Sequence, residues 1–408
     1  MITEGKLKIE PQFTSLPDFV ENRIGNWMDR YDKLWGGNHL LHGRVPGPDA
    51  VHLSSNDYLC LSGEREIVEA QVATLRENKD LLMSALFLHG DNPQSNVEKK
   101  FANYMRAVDG IMCQSGWAAN VGLIQTLAGP NIPVYLDMLA HASLWEGATV
   151  CKATPVAFRH NDVDHLARQM REHGPGIVAV DSVYSINGSL CPIEEILEVT
   201  EASGSILVVD ESHSLGTHGP RGAGLVVDLG LQDRVHFRTA SLAKAFAGRA
   251  GFVTCPEHFK TYFMMESRAA IFSSCLLNHE LEWFSAAIDF IRDADDRRAR
   301  MMEAAKYLRN GLSELGYNVS DGSEQIIALE AGPEPQTMVL RNAMQAKGVF
   351  GSVFCAPATP RNRSLMRLTV NSGLTDIEIE RVLTVCAEIR DQVGLKDWAS
   401  TRRLQRQR

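Results

Sequence analysis

Short apolar runs and helical periodicities alternate along most of this chain. Between about residues 51 and 280 the apolar runs fall at 110–113, 134–136, 177–181, 206–210, 235–239 and 251–254, with amphipathic stretches such as 163–173 and 193–202 between them. Runs of this kind suit strands buried on both faces, and intervening helices suit parallel strand order. The pattern predicts an α/β fold with a mainly parallel, helix-covered central sheet. Upstream, Phe19, Ile24, Trp27 and Met28 mark one helical face before Gly36, Gly37, Pro46, Gly47 and Pro48 break the pattern. After Leu276 a long helical pattern at about 280–316 carries the charged run 292–298, read as a solvated face. Helical patterns at 337–347 and 375–393 then flank short apolar segments, and a basic tail at 401–408 is expected to fray. The expected organisation is a helical arm at 1–50, a large α/β domain at 51–280 and a smaller C-terminal α/β domain at 281–408.

Composition narrows the function. With 408 residues, 44% hydrophobic and 22% charged, the chain is an ordinary globular protein of more than one domain. Lys plus Arg number 41 against 50 Asp plus Glu, a net charge of -9, which disfavours broad nucleic-acid binding. An anionic ligand therefore needs a local site. The eight cysteines are scattered, with neither a CxxC pair nor Cys/His metal-ligand spacing, so no metal site and a reducing, cytoplasmic location are expected. No signal-like or membrane-spanning apolar segment is present in the sequence.

The candidate chemistry lies where strands end. Residues 206–209 run straight into Asp210, with His213 three residues later, and ligands of α/β sheets sit beyond the carboxyl ends of strands. Taken alone, Asp210 reads better as a cap of the following turn or helix. The next apolar run opens into Ala240-Ser241-Leu242-Ala243-Lys244, a lysine among small and apolar neighbours. A carboxylate and a lysine on adjacent strand ends are what pyridoxal phosphate requires: an amine for the Schiff base and an acid facing the pyridine nitrogen. Gln114-Ser115-Gly116-Trp117 joins a strand to a helix, and a helix start offers free N–H groups to a phosphate. Ser241 can add a hydroxyl, and His141 can stack on a ring.

These segments, Ser115–Asn120, His141–Ser143, Asp210–His213 and Ser241–Lys244, resemble the α-oxoamine synthases, fold-type I pyridoxal-phosphate enzymes that condense an amino acid with an acyl-CoA and release carbon dioxide. Ser55–Leu59, Ser185–Gly188, Phe272–Ser274 and Met366–Thr369 extend the likeness, which covers about residues 50 to 390. The α-hydroxyketone quorum-sensing autoinducer synthases are resembled most closely, through Ser115-Gly116-Trp117, 143–148, 210–216, 240–246 and 348–355.

The resemblance implies that Lys244 forms the internal aldimine, Asp210 faces the pyridine nitrogen, and His213 contacts the ring oxygen. It places His141 on the ring with Ser185 nearby. The phosphate falls to Ser115, the Gly116 and Trp117 N–H groups and Ser241, with Ser273 and Ser274 completing the cup from the second subunit of a homodimer. Asn56 and Arg367 would hold the amino-acid carboxylate. The implied substrates are a medium- or long-chain acyl-CoA and an amino acid, 2-aminobutyrate or S-adenosylmethionine. Met83–Leu88 replaces a glycine-rich segment ending in Arg in relatives, and the apolar Leu86-Phe87-Leu88 suits either core or a longer acyl chain. Arg249 stands where relatives have a small residue, and Asn371 where many have a polar segment ending in His. The alternatives are another α-oxoamine synthase (8-amino-7-oxononanoate, 2-amino-3-ketobutyrate or serine palmitoyltransferase type) and a catalytically silent subunit of this fold, against which Lys244 counts.

Overall fold

The computed structural model describes residues 15–35, 43–77 and 93–407. Among these, eleven strands form two sheets. The larger is built from β2 (Asp109–Cys113), β3 (Pro133–Asp137), β4 (Thr154–Phe158), β5 (Ile177–Asp181), β6 (Ile206–Asp210), β7 (Phe237–Ser241) and β8 (Gly251–Cys255), in the order β2-β8-β7-β6-β5-β3-β4. Only β8 runs against its neighbours, pairing antiparallel with both β2 and β7. β3, β5 and β8 are buried along their whole length, as unalternating apolar runs demand. The smaller sheet has β1 (Val51–Leu53), β9 (Ile326–Gly332), β10 (Val349–Phe354) and β11 (Ser364–Thr369), in the order β1-β10-β11-β9. The mainly parallel α/β fold is therefore as expected.

Several local readings change. β4 is missing from the sequence pattern because it is an edge strand with only Val156 and Phe158 buried. β7 begins two residues late and ends at Ser241, and it holds a fully buried Arg238 whose charge disguises the strand. Arg238 is neutralised by Glu211, 3.5 Å away, and donates to Met105 O at 2.6 Å. The charged run is not simply a solvated face. The helix breaks there into Asn278–Arg292 and Asp295–Glu314, with Arg298 buried and donating to Ile291 O at 2.7 Å. Arg297 reaches Leu59 O and Glu64. The tail is likewise ordered. Ala399–Gln407 is helical, Ser400 Oγ donates to Glu330 O at 2.6 Å, and Arg403 pairs with Glu330 at 2.8 Å.

Packing also changes hands away from residue 280. β1 precedes the large sheet in sequence but pairs with β10. Helix Asn278–Arg292 packs through Leu281, Phe284 and Ile288 into the cluster containing Phe101 and Phe246. The following helix sends Met301 to that cluster but Ala304, Leu308 and Leu312 to the smaller sheet's core. The smaller layer thus lies over the strand ends of the larger through a shared helix and brings Arg367 of β11 to the site.

Candidate active site

β6, β5 beside it and β3 beyond β5 run parallel and each ends in aspartate: Asp210, Asp181 and Asp137. Asp210 is 3% exposed and fixed by two donors. Asn120 Nδ2 reaches Oδ2 at 2.7 Å, and the Ser212 N–H reaches Oδ1 at 2.8 Å. Asp181, in register with Asp210, accepts the His141 N–H at 2.9 Å. Burial first, then the neighbouring Asp210 charge, pushes the Asp181 carboxyl well above the usual range. Asp210 thus sits beside a carboxyl that resists ionisation, which spares this crowded strand end a second negative charge.

Lys244 lies on a tight loop just past β7, closed by Leu242 N–H to Ala250 O at 2.9 Å and Gly248 N–H to Leu242 O at 3.1 Å. Burial, then the Arg367 charge, lowers its ammonium pKa, while Asp210 acts in the opposite direction. That favours the neutral amine, the nucleophilic form. His213 is buried, and burial followed by the Lys244 and Arg367 charges holds its pKa well below the usual value. Its Nδ1 is 2.5 Å from the Tyr58 hydroxyl, whose own ionisation is suppressed by burial. The protonated Tyr58 hydroxyl can donate to Nδ1, the arrangement that leaves the proton of a neutral His213 on Nε2.

The helix Gly116–Leu127 starts at Ser115, whose Oγ accepts the Ala118 N–H at 3.0 Å. Gly116 packs so closely on Ser241 that a Cβ there would lie 2.4 Å from the Ser241 Cβ. Trp117 sits edge-on to His141 with ring centroids 6.3 Å apart. Arg367 donates from Nη2 to Asn56 Oδ1 and from Nη1 to Ser185 O, both at 2.9 Å, and its guanidinium lies 4.6 Å from the Phe354 ring centroid. Its Nε is buried with no hydrogen-bond partner.

A cavity of about 460 Å³ joins these groups, with Asn56, His141, Ser185, His213, Lys244 and Arg367 in its lining. Met138, Leu139, Trp145, Ile186 and Phe354 supply an apolar wall. Of the residues read from the sequence, those six line the cavity; Trp117 meets it through the His141 ring, and Ser115, Gly116, Asp210 and Ser241 are not in its lining. Ser273 and Ser274 are not in its lining. Ser273 Oγ instead donates to Ala269 O at 2.8 Å, and Ser274 is exposed. Met83–Leu88, including Phe87, lies outside the described residues.

Sequence reasoning gave no role to Tyr58, Asn120, Ser143, Asp181 or Phe354. Only Asp181 carried a usable signal, since 177–181 repeats the apolar-run-then-Asp pattern of 206–210. The donor set fits pyridoxal phosphate: an amine biased toward neutrality, a fixed carboxylate, neutral imidazoles and a helix start pressed against a serine.

Fold and residue set together define a fold-type I, pyridoxal-phosphate-dependent transferase. The family model for aminotransferase class I and II matches residues 48–385. The chain belongs to that family and, within it, to the α-oxoamine synthases. It is 42% identical over 381 residues to a CAI-1 autoinducer synthase of Vibrio campbellii, covering 93% of this chain and 97% of that protein. A serine palmitoyltransferase of Caulobacter vibrioides is 27% identical over 86% of this chain and 89% of its own length. Among solved structures, serine palmitoyltransferase from S. paucimobilis with a bound PLP–myriocin aldimine superposes with a TM-score of 0.85 at 24% identity, covering 93% of this chain and all of that one.

Proposed function

We propose that this protein condenses an amino acid with a medium- or long-chain acyl-CoA, with loss of carbon dioxide, to give an α-aminoketone precursor of an α-hydroxyketone signal. The observation carrying the reading is one cavity whose lining combines Lys244, close enough to the buried Asp210 to interact with it, with Arg367 and an apolar wall. The 42% likeness to a CAI-1 autoinducer synthase supports the product class. Bound pyridoxal phosphate supplies an electron sink for charge developing at the substrate α-carbon.

The chain's own residues do the rest. Lys244 would hold the cofactor and supply the amine base for the substrate α-proton. Asp210 would face the ring nitrogen, and Asn120 and the Ser212 N–H prevent it from turning away. His213, held by Tyr58 at Nδ1, would face the ring oxygen. His141 covers one ring face with Ser185 beside it. Ser115, the Gly116 and Trp117 N–H groups and Ser241 receive the phosphate, joined by Ser273 and Ser274 of a second copy. Asn56 and Arg367, hydrogen-bonded to each other in the cavity lining, orient the amino-acid carboxylate. The wall of Met138, Leu139, Trp145 and Ile186 excludes water and accepts the acyl chain.

The amino acid is 2-aminobutyrate or S-adenosylmethionine in this reading, and the assembly is a homodimer. A cytoplasmic location is supported by eight unpaired cysteines and by the lack, among described residues, of any helix long and apolar enough to cross a membrane. Borohydride reduction of the purified holoenzyme followed by peptide mapping tests the reading. It should label Lys244 alone, and a label on any other lysine refutes the assignment.

A further inference from the structure

Asp210 and His141 stand on separate elements, yet one unbroken set of hydrogen bonds joins them. Asn120, 2% exposed, uses both amide hydrogens: Nδ2 donates to Asp210 Oδ2 at 2.7 Å and to Ser143 Oγ at 2.9 Å. Its Oδ1 accepts from Thr239 Oγ1 at 2.6 Å. The carboxylate dictates the amide's orientation, since the reverse would set two acceptors against each other. Ser143 Oγ lies 2.7 Å from His141 Nδ1. Because Asn120 already points a hydrogen at that oxygen, the hydroxyl's own hydrogen is available to Nδ1.

A second, longer contact points the same way. The Ser143 backbone N–H donates to the same Nδ1 at 3.3 Å, the imidazole acting as the cap of helix Ala142–Val150. A backbone amide nitrogen has no capacity to accept. Two donors thus converge on Nδ1, and the proton of a neutral His141 belongs on Nε2. Desolvation by the surrounding protein, as the largest influence, lowers the His141 pKa and favours this neutral form. The backbone end of His141 is held separately, through its N–H on Asp181.

We propose that Asn120 and Ser143 are positioning residues that hold His141 as its Nε2–H tautomer and lock its ring in place relative to Asp210. The imidazole then presents the cavity with an N–H donor matched to an acceptor on the bound ligand. The tautomer follows from the chain's own contacts; its effect on turnover rests on the cofactor reading proposed above.

The test uses deuterated holoenzyme with histidine as the sole ¹⁵N-labelled residue, His141 signals being identified by their loss in His141→Asn. The expected result is a pyridine-type Nδ1 and a pyrrole-type Nε2. Ser143→Ala should populate both tautomers and lower kcat/KM about five- to tenfold, the worth of one hydrogen bond. Ser143→Thr, which keeps the hydroxyl, should restore both. Asn120→Ala should loosen the tautomer in the same way and also shift the visible absorption of the bound cofactor, because Asp210 loses a donor. Circular dichroism establishes that each variant is folded, and Ser143→Ala, the smaller change, decides the matter if Asn120→Ala is not. A pyrrole-type Nδ1 in the unaltered protein overturns the proposal, as does a folded Ser143→Ala with unchanged tautomer and rate. If the tautomer behaves as expected but borohydride does not label Lys244, the positioning role stands and the cofactor reading falls.

Discussion

Gly116→Ala places one methyl group at the tightest point of the proposed phosphate site. The added Cβ would lie 2.4 Å from Ser241 Cβ and 2.8 Å from Ser241 Cα, where ordinary contact begins near 3.4 Å. The overlap is about 1 Å, and it falls partly on backbone. Ser241 has little room to yield: its N–H donates to Ser212 Oγ at 2.7 Å, and it pairs with Gly251 in β8. Gly251 is itself pressed against the Ser115 carbonyl, which a Cβ there would approach to 2.2 Å. Relief therefore requires the start of helix Gly116–Leu127 to back away by about the overlap, carrying its N–H groups with it. Overpacking of this kind costs about 1–3 kcal/mol of stability. Misplacing the donors should weaken pyridoxal-phosphate binding at least about tenfold, or roughly 1.4 kcal/mol. Gly122→Ala is the control on the same helix. Its Cβ would meet the Ser267 hydroxyl at 2.4 Å, far along the helix from the site. Thermal unfolding and titration of cofactor-stripped protein with pyridoxal phosphate measure the two effects. Both variants should lose stability, but only Gly116→Ala should lose affinity. A folded Gly116→Ala that binds the cofactor as tightly as the original refutes the reasoning.

Two other outcomes follow from the site. His213 is held neutral when folded, whereas the unfolded chain protonates it below about pH 6.5. More protons on the unfolded state mean stability falls as pH drops through that value, by at most ~1.4 kcal/mol per pH unit for one proton. Asp181, with its raised pKa, acts in the opposite sense, so the comparison must be by difference. Urea unfolding between pH 7.5 and 5.5 should show a shallower loss for His213→Asn than for the unaltered protein, and equal slopes would refute the assignment. For the composite site, Lys244→Ala protein mixed with a Ser273→Ala/Ser274→Ala protein should regain activity through hybrids with one intact site. No recovery despite demonstrated subunit exchange argues for sites built from a single chain.

What could be read from the sequence follows the physics of each signal. β5, β6 and β8 were legible because strands buried within a sheet are short, continuous apolar runs, and Asp210 stood out at the end of β6 and Lys244 just past β7. β4 was not, since an edge strand exposes three of its five positions. The 292–298 run and the 401–408 tail misled because charge usually means solvent, yet Arg298 and Arg403 answer specific partners, a helix carbonyl and Glu330. Supporting residues were the hardest to see. Asn120, Ser143 and Tyr58 gain their roles from partners 23 to 155 positions distant in the chain, and no local pattern encodes such pairings.

The central claim is a decarboxylating condensation, and the fate of the substrate carboxyl carbon tests it most directly. Holoenzyme would be incubated with 2-aminobutyrate or S-adenosylmethionine carrying ¹³C at the carboxyl carbon, together with acyl-CoA donors from acetyl to long chain, and products followed by mass spectrometry. The account predicts free CoA, labelled carbon dioxide and an unlabelled α-aminoketone, with kcat/KM rising from acetyl-CoA to a medium- or long-chain optimum. Retention of the label in the organic product, or formation of a keto acid without CoA release, would contradict it.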